Sequence, residues 1–415
     1  MVVEKDCCSG PGLLPMEDAM ELMEQAVHQV TETEMVTVID ALDRVLAEDI
    51  VSDINVPPHA NSAMDGYAFL AEDKALGKPL IVVGESMAGH PYAGLVESGQ
   101  AIRIMTGAKI PQGADTVMMQ ENTKRDGDLL ELFKWPEAGN SIRNAGEDIK
   151  QGETVAKAGI RLSPVDLGLL ASLGLTEVKV YKRLKVAVLS SGDELARAGE
   201  ALPSAGIFES NSMVTLSVLK RLDCETLDMG IVEDNLEKLE AAFSKAMRWA
   251  DVLITSGGVS VGDADYIKDV LEKMGSIGFW KLAIKPGKPF AFGKLDECVF
   301  FGLPGNPVSA MVTLHQLVVP MIKTMQGEGC QAPASFTMKI SSKLRKISGR
   351  KDFQRGKLVK DKNGNNKIEM FRTQGSGVLT SMSESNCYLV LDIEQESLEP
   401  GDEVKVVPFD RWIGR

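Results

Sequence analysis

The period of the apolar positions changes along this chain, and each change marks a structural region. Near the start, Met16, Met20, Met23, Ala26, Val27 and Val30 recur at helical spacing, with Glu17 and Asp18 in the first turn. That pattern predicts a helix over residues 15–30 whose methionine stripe faces a core or a subunit interface. Beyond residue 51, short β-prone runs at 80–83, 101–105, 116–119 and 129–133 alternate with Gly, Pro, Asn and Asp turns, the mark of a small β domain. Ser163-Pro164 then starts a helix that Gly174 ends. Residues 161–182 are expected to return to the first helix, making the β region an insertion.

From residue 184 to 325, strand-like and helix-like runs alternate. Strands are predicted at 184–189, 226–230 and 252–255, and helices at 213–222, 236–249, 264–274 and 307–325. This is the pattern of a doubly wound α/β domain. Residues 334–415 return to strands and turns, with 361–366 as a hairpin tip. The expected fold is multidomain α/β plus β. It has a discontinuous N-terminal linker domain (1–50 and 157–182), an inserted β domain (51–156), a central doubly wound α/β domain (183–328) and a C-terminal β domain (329–415).

Composition narrows the function classes. A chain that is 44% hydrophobic and 25% charged is globular rather than disordered. No apolar run approaches the ~20 residues of a membrane span. The N-terminus lacks the basic start and apolar stretch of a secretory signal, so a cytoplasmic location and no membrane partner are expected. The six cysteines contain no C-x-x-C pair, which argues against zinc and against a disulfide framework. A net charge of −14 argues against nucleic acid as a partner. It leaves room for a phosphorylated ligand only where local basic groups overcome the overall field.

Three glycine-and-carboxylate loops follow strand-like runs in the α/β region. They are Ser190-Ser191-Gly192-Asp193-Glu194, Ser256-Gly257-Gly258-Val259-Ser260 continuing to Asp263-Ala264-Asp265-Tyr266, and Lys285-Pro286-Gly287-Lys288-Pro289. In an open α/β sheet such loops gather at the carboxyl edge of the strands, where ligands bind. Glycine allows close backbone approach to an anion. Carboxylates beside a phosphate loop would repel the ligand unless a cation such as Mg²⁺ lies between them. Each element also has a plainer reading. Glu194 suits a helix start, Asp234 an N-cap, and Lys285 with Lys288 a solvated basic loop. Leu303-Pro304-Gly305-Asn306-Pro307 opens the last helix with proline at its first position. Asn61-Ser62-Ala63-Met64-Asp65-Gly66-Tyr67-Ala68 sets a carboxylate among small polar groups, near Thr106-Gly107. Gly349-Arg350-Lys351-Asp352-Phe353-Gln354-Arg355 adds basic residues. The four histidines do not cluster and none adjoins a serine nucleophile elbow, which argues against histidine-centred chemistry.

Together the motifs at 61–68, 191–195, 256–266, 285–289 and 303–310 resemble, in order and over nearly the whole chain, the molybdopterin molybdenumtransferase family. These are the bacterial molybdenum insertases related to the E domain of gephyrin. The resemblance implies an elongated homodimer with its cleft between subunits. It also implies the reaction of adenylylated molybdopterin with molybdate to give molybdenum cofactor and AMP, assisted by Mg²⁺. In that scheme Ser256, Gly257, Gly258 and Ser260 hold the adenylyl phosphate, and Asp265 with Glu194 or Asp234 holds the metal. Lys281, Lys285 and Lys288, with Arg350 or Arg355, bind molybdate or pterin phosphate, and Pro304, Pro307 and Ser376 border the substrate. Asp65 and Thr106 come from the partner subunit. Contacts with the adenylylating enzyme and with recipient molybdoenzymes are further implications. Two departures stand out: Asp263 where many relatives carry Glu, and Gln374-Gly375-Ser376-Gly377-Val378 without the Ser-Arg of several relatives. A non-catalytic pterin-binding scaffold and the preceding adenylylation step are the alternative readings.

Overall fold

A computed structural model of the protein describes residues 12–258, 266–329 and 332–414. The chain divides into two units, one of Met1–Glu34, Asp43–Ala47 and Lys179–Arg415, the other of Met35–Leu42 and Glu48–Val178. In the first unit, α1 (Met16–Ala26) buries Ala19 and Met23, so the methionine stripe is a core face. The helix stops four residues short of the predicted Val30. Val27 is extended at its C-cap, and Val30 N–H is drawn to Met325 O at 2.8 Å. A tertiary hydrogen bond there replaces the next helical turn.

The main sheet of the second unit is built from β1 (Gly66–Phe69), β2 (Leu80–Ser86), β3 (Gln100–Ile104), β4 (Thr116–Met119), β5 (Thr123–Asp126) and β6 (Leu129–Leu132). They form one sheet in the order β4-β1-β3-β2-β6-β5. Gly66 has no room for a side chain, since a Cβ there would lie 1.9 Å from Met118 O. The helix predicted after Ser163 is α2 (Pro164–Ser172), with Ser163 and Asp166 in a reciprocal capping box.

The first unit continues with β7 (Lys185–Ser191), β8 (Leu195–Ala196), β9 (Ile207–Phe208), α3 (Asn211–Arg221), β10 (Glu225–Val232) and α4 (Leu236–Met247). Then come β11 (Val252–Ser256), α5 (Tyr266–Met274), β12 (Ser276–Lys281), β13 (Ile284–Lys285), β14 (Pro289–Leu295) and β15 (Cys298–Leu303). The sheet order is β10-β7-β11-β15-β14-β12. The first four strands run parallel, and β14 and β12 close the edge antiparallel. Helices cover both faces. Leu239, Phe243 and Leu271 pack on Leu189 and Leu253, while Val218 and Leu219 join Val186 and Ile254 on the opposite side.

The helix predicted at 307–325 is α6 (Pro307–Thr313), a π-helical stretch (Leu314–Val318) and α7 (Val319–Met325). By length and composition alone Pro307–Met325 is long and apolar enough to cross a membrane. Yet 78% of its apolar window is buried in the protein, as in a core helix. The unit ends with β16 (Phe336–Lys339), β17 (Lys351–Lys360), β18 (Asn366–Met370), α8 (Thr380–Glu384), β19 (Cys387–Leu391) and β20 (Glu403–Pro408). Their sheet runs β13-β17-β19-β20-β16, with β18 paired to β17 across the predicted hairpin tip. Phe353, Tyr388 and Trp412 share one core cluster with α7, so this sheet and the α/β sheet are packed together.

Within that core, buried His315 meets Asp410, Nε2 to Oδ2 at 3.1 Å. Burial pushes the Asp410 carboxyl up, but the His315 hydrogen bond and charge, with the Trp412 and Ile413 amides, leave it below its ordinary value. A carboxyl lowered on folding contributes stability above its unfolded pKa, and that contribution disappears as pH falls through the folded value. Asp410→Asn should therefore flatten the loss of stability below about pH 4. Urea midpoints measured across acid pH would refute the link if wild type and variant run parallel.

Candidate functional site

Three strand ends lie level at the carboxyl edge of the α/β sheet. Ser190 of β7 is in register with Ser256 of β11, which is in register with Leu303 of β15. The loops leaving these strands open on one groove of about 760 Å³. Of the residues singled out from sequence, Glu194, Asp234, Ser256, Gly257 and Gly258 line it. Pro304 and Pro307 border it from the last loop.

Close packing holds the glycine loop. Gly257 has φ +84°, and a Cβ there would stand 2.2 Å from Ser191 O, so two strand-end loops touch backbone to backbone. Its N–H donates to Leu303 O at 3.2 Å, which commits that amide to the sheet rather than to a ligand. Asn211, the first residue of α3, ties the loops together. Its Nδ2 donates to Ser256 Oγ at 2.8 Å and to Gly305 O at 2.9 Å. Before α3, Glu209 Oε1 accepts from Ser190 Oγ (3.1 Å) and Ser212 N (2.7 Å), fixing how that segment leaves β9.

The carboxylates depart from their plainer readings. β8 follows Glu194, so Glu194 does not start a helix. Asp234 is not the cap of α4, because Asn235 takes that place and accepts from Lys238 N–H at 3.1 Å. Asp234 Oδ1 instead accepts the Ser191 hydroxyl. Both carboxylates are exposed on the groove. Among the described residues no group of three or more His, Cys, Asp or Glu could hold a metal ion. Asp265 and Ser260 lie outside the described residues.

The basic residues are arranged differently from one another. Lys281, Lys285 and Lys288 are exposed near the groove-lining Pro289 but are not part of the lining. Lys285 Nζ lies 3.4 Å from Oδ2 of the buried Asp352. Arg350 is half-buried, whereas Arg355 is 1% exposed and donates to Ser381 Oγ, Phe353 O and Gly375 O. As it stands, Arg355 holds the 375–379 segment rather than facing solvent. Ser376 O accepts from Val308 N–H at 2.9 Å, and Gly377 and Leu379 border the groove.

In the other unit, Thr106 donates to Asp65 Oδ1 through both its N–H and its hydroxyl, each at 2.7 Å. These two bonds hold the Asp65 carboxyl below its ordinary value. The sequence places Asp65 near Thr106 and the resemblance assigns both to one cleft; the structure adds the bonds between them. Asn211 and Glu209 carry no such signal. With α3 expected to start only near residue 213, both precede the helix, and a side chain reaching across strands has no local signature.

Residues 14–174 match the MoeA N-terminal region (domain I and II), 187–324 a molybdopterin-binding domain, and 337–409 the MoeA C-terminal region (domain IV). The chain is 45% identical to the molybdopterin molybdenumtransferase of Haemophilus influenzae, over 97% of this chain and all of that protein. It is 30% identical to gephyrin of Dictyostelium discoideum, over 96% of this chain and 64% of that one. Among solved structures, a molybdopterin biosynthesis MoeA protein from Pyrococcus horikoshii aligns with a TM-score of 0.82 at 29% identity, covering 96% of this chain and all of that one.

Proposed function

The chain belongs to the molybdopterin molybdenumtransferase family, and from that premise we propose that it inserts molybdenum from molybdate into adenylylated molybdopterin with release of AMP, assisted by Mg²⁺. The observation that carries this reading is the convergence of the Ser256-Gly257-Gly258 loop with Glu194 and Asp234 in one groove. With Gly257 N–H committed to Leu303, the adenylyl phosphate falls to Gly258, the Ser256 hydroxyl and Ser260. Asn211 keeps Ser256 and Gly305 in place for that contact.

Two exposed carboxylates beside a phosphate loop fit Mg²⁺, which commonly binds through one or two carboxylates and substrate phosphates. Glu194 and Asp234 would hold it together with Asp265. When bound, the ion neutralises charge on the departing AMP. Lys281, Lys285 and Lys288, with Arg350, supply cations for molybdate and the pterin phosphate, and buried Asp352 steers Lys285. Asp65, oriented by Thr106, would enter the cleft from the second subunit of a homodimer. A cytoplasmic site of action, the four-domain division given above, and contacts with the adenylylating enzyme and with recipient molybdoenzymes belong to the same reading. Catalysis on this scheme is mainly positioning and electrostatics.

Purified protein given adenylylated molybdopterin, Mg²⁺ and molybdate should release AMP and yield cofactor that activates an apo-molybdoenzyme. No AMP release would defeat the proposal. Asp234→Ala should raise the Mg²⁺ concentration needed for half-maximal rate by at least about tenfold. An unchanged Mg²⁺ titration would remove Asp234 from the metal site.

A further inference from the structure

Resting on the reading of the groove as an adenylyl site, the structure assigns it a nucleobase subsite: we propose that Phe208 is the stacking platform for the adenine ring. Phe208 is the one aromatic residue among the described residues lining the groove. It is 49% exposed and neighbours Ile207, which is 56% exposed, with half-buried Leu195 opposite Ile207 on β8. All three line the groove, which elsewhere carries hydroxyls, carboxylates and backbone together with Pro289, Pro304, Pro307 and Leu379. An open phenyl face beside polar phosphate-binding groups suits a ligand that is flat and apolar at one end and charged at the other.

The platform is also held in place. β9 pairs with β8 in parallel, with Ile207 N–H donating to Glu194 O and Glu209 N–H to Ala196 O, both at 2.9 Å. Glu209 is anchored in turn by Ser190 and Ser212. Asn211, three residues after Phe208, fixes Ser256 of the glycine loop. One short segment therefore carries both the aromatic face and the clamp on the phosphate loop. That continuity lets a single nucleotide span the two.

The test compares AMP with ribose 5-phosphate by calorimetry on the full-length wild type, Phe208→Ala and Phe208→Trp. Stacking predicts that Phe208→Ala weakens AMP binding by about tenfold or more. Ribose 5-phosphate affinity should stay within about twofold, and Phe208→Trp should retain AMP binding. Equal AMP affinity in wild type and Phe208→Ala would overturn the subsite while leaving the phosphate site standing. Parallel loss of both ligands would make Phe208 a structural residue and also overturn it. If wild type binds neither ligand, the adenylyl reading of the groove fails, and the subsite with it.

Discussion

Gly257→Ala is expected to lower AMP release by about a hundredfold while the protein remains folded. Two costs coincide at this position. The backbone has φ +84°, a left-handed conformation that costs an L-residue with a Cβ about 1–2 kcal/mol. The new Cβ would also stand 2.2 Å from Ser191 O, a main-chain atom at the end of a central strand that no rotamer change can move aside. Relief requires the 256–258 loop and the end of β7 to separate. That displaces Ser191, whose hydroxyl orients Asp234, and Ser256, which Asn211 holds.

Gly258→Ala is the natural comparison. Its φ of +65° carries a similar backbone cost, but its Cβ would meet Ile267 Cδ1 at 2.6 Å, the far end of a flexible side chain. The smaller loss should fall on Gly258. AMP release rates and thermal unfolding of both variants provide the measurement. A Gly257→Ala enzyme retaining more than about half of wild-type turnover would show that this close approach is not what shapes the site.

Arg355→Met should cost about 3 kcal/mol of folding stability, read from urea unfolding. The guanidinium is 1% exposed, and its donors satisfy Phe353 O, Gly375 O and Ser381 Oγ. Burial pulls its pKa down, and the nearby Asp352 charge only partly offsets this. Methionine fills much of the volume but leaves two carbonyls and a hydroxyl without that donor. Each buried polar group stranded in this way costs about 1–3 kcal/mol.

The effect should extend to the groove. The Gly375 segment continues through Ser376, whose carbonyl accepts from Val308 N–H at the start of α6, to Gly377 and Leu379 on the groove wall. Arg350→Ala should change stability by less than about 0.5 kcal/mol, because Arg350 is only half-buried. If Arg355 served mainly to bind an oxyanion, its variant would keep its urea midpoint and instead need more molybdate for half-maximal rate. That outcome would reverse the assignment.

Local elements and the chemistry of the loops are legible in the order of residues alone. Alternating and helical periodicities placed β4 at residues 116–119 and the helix over 307–325, and Ser163-Pro164 marked the start of α2, because these signals are carried by neighbours a few residues apart. Ordered motifs identified the family for the same reason: each is a short contiguous string. The tertiary structure decided which side chains meet. Asn235 rather than Asp234 caps α4, and Asp234 is left to Ser191 from another strand. Arg355 reads as a surface cation in a basic stretch, yet strand pairing turns it inward onto carbonyls up to 20 residues away. Phe208 falls between the strand expected at 184–189 and the helix expected at 213–222, and only the parallel pairing of β9 with β8 places it beside the glycine loop. Long-range hydrogen bonds and strand register leave no trace in local spacing. The groove therefore exists only once the sheet has assembled.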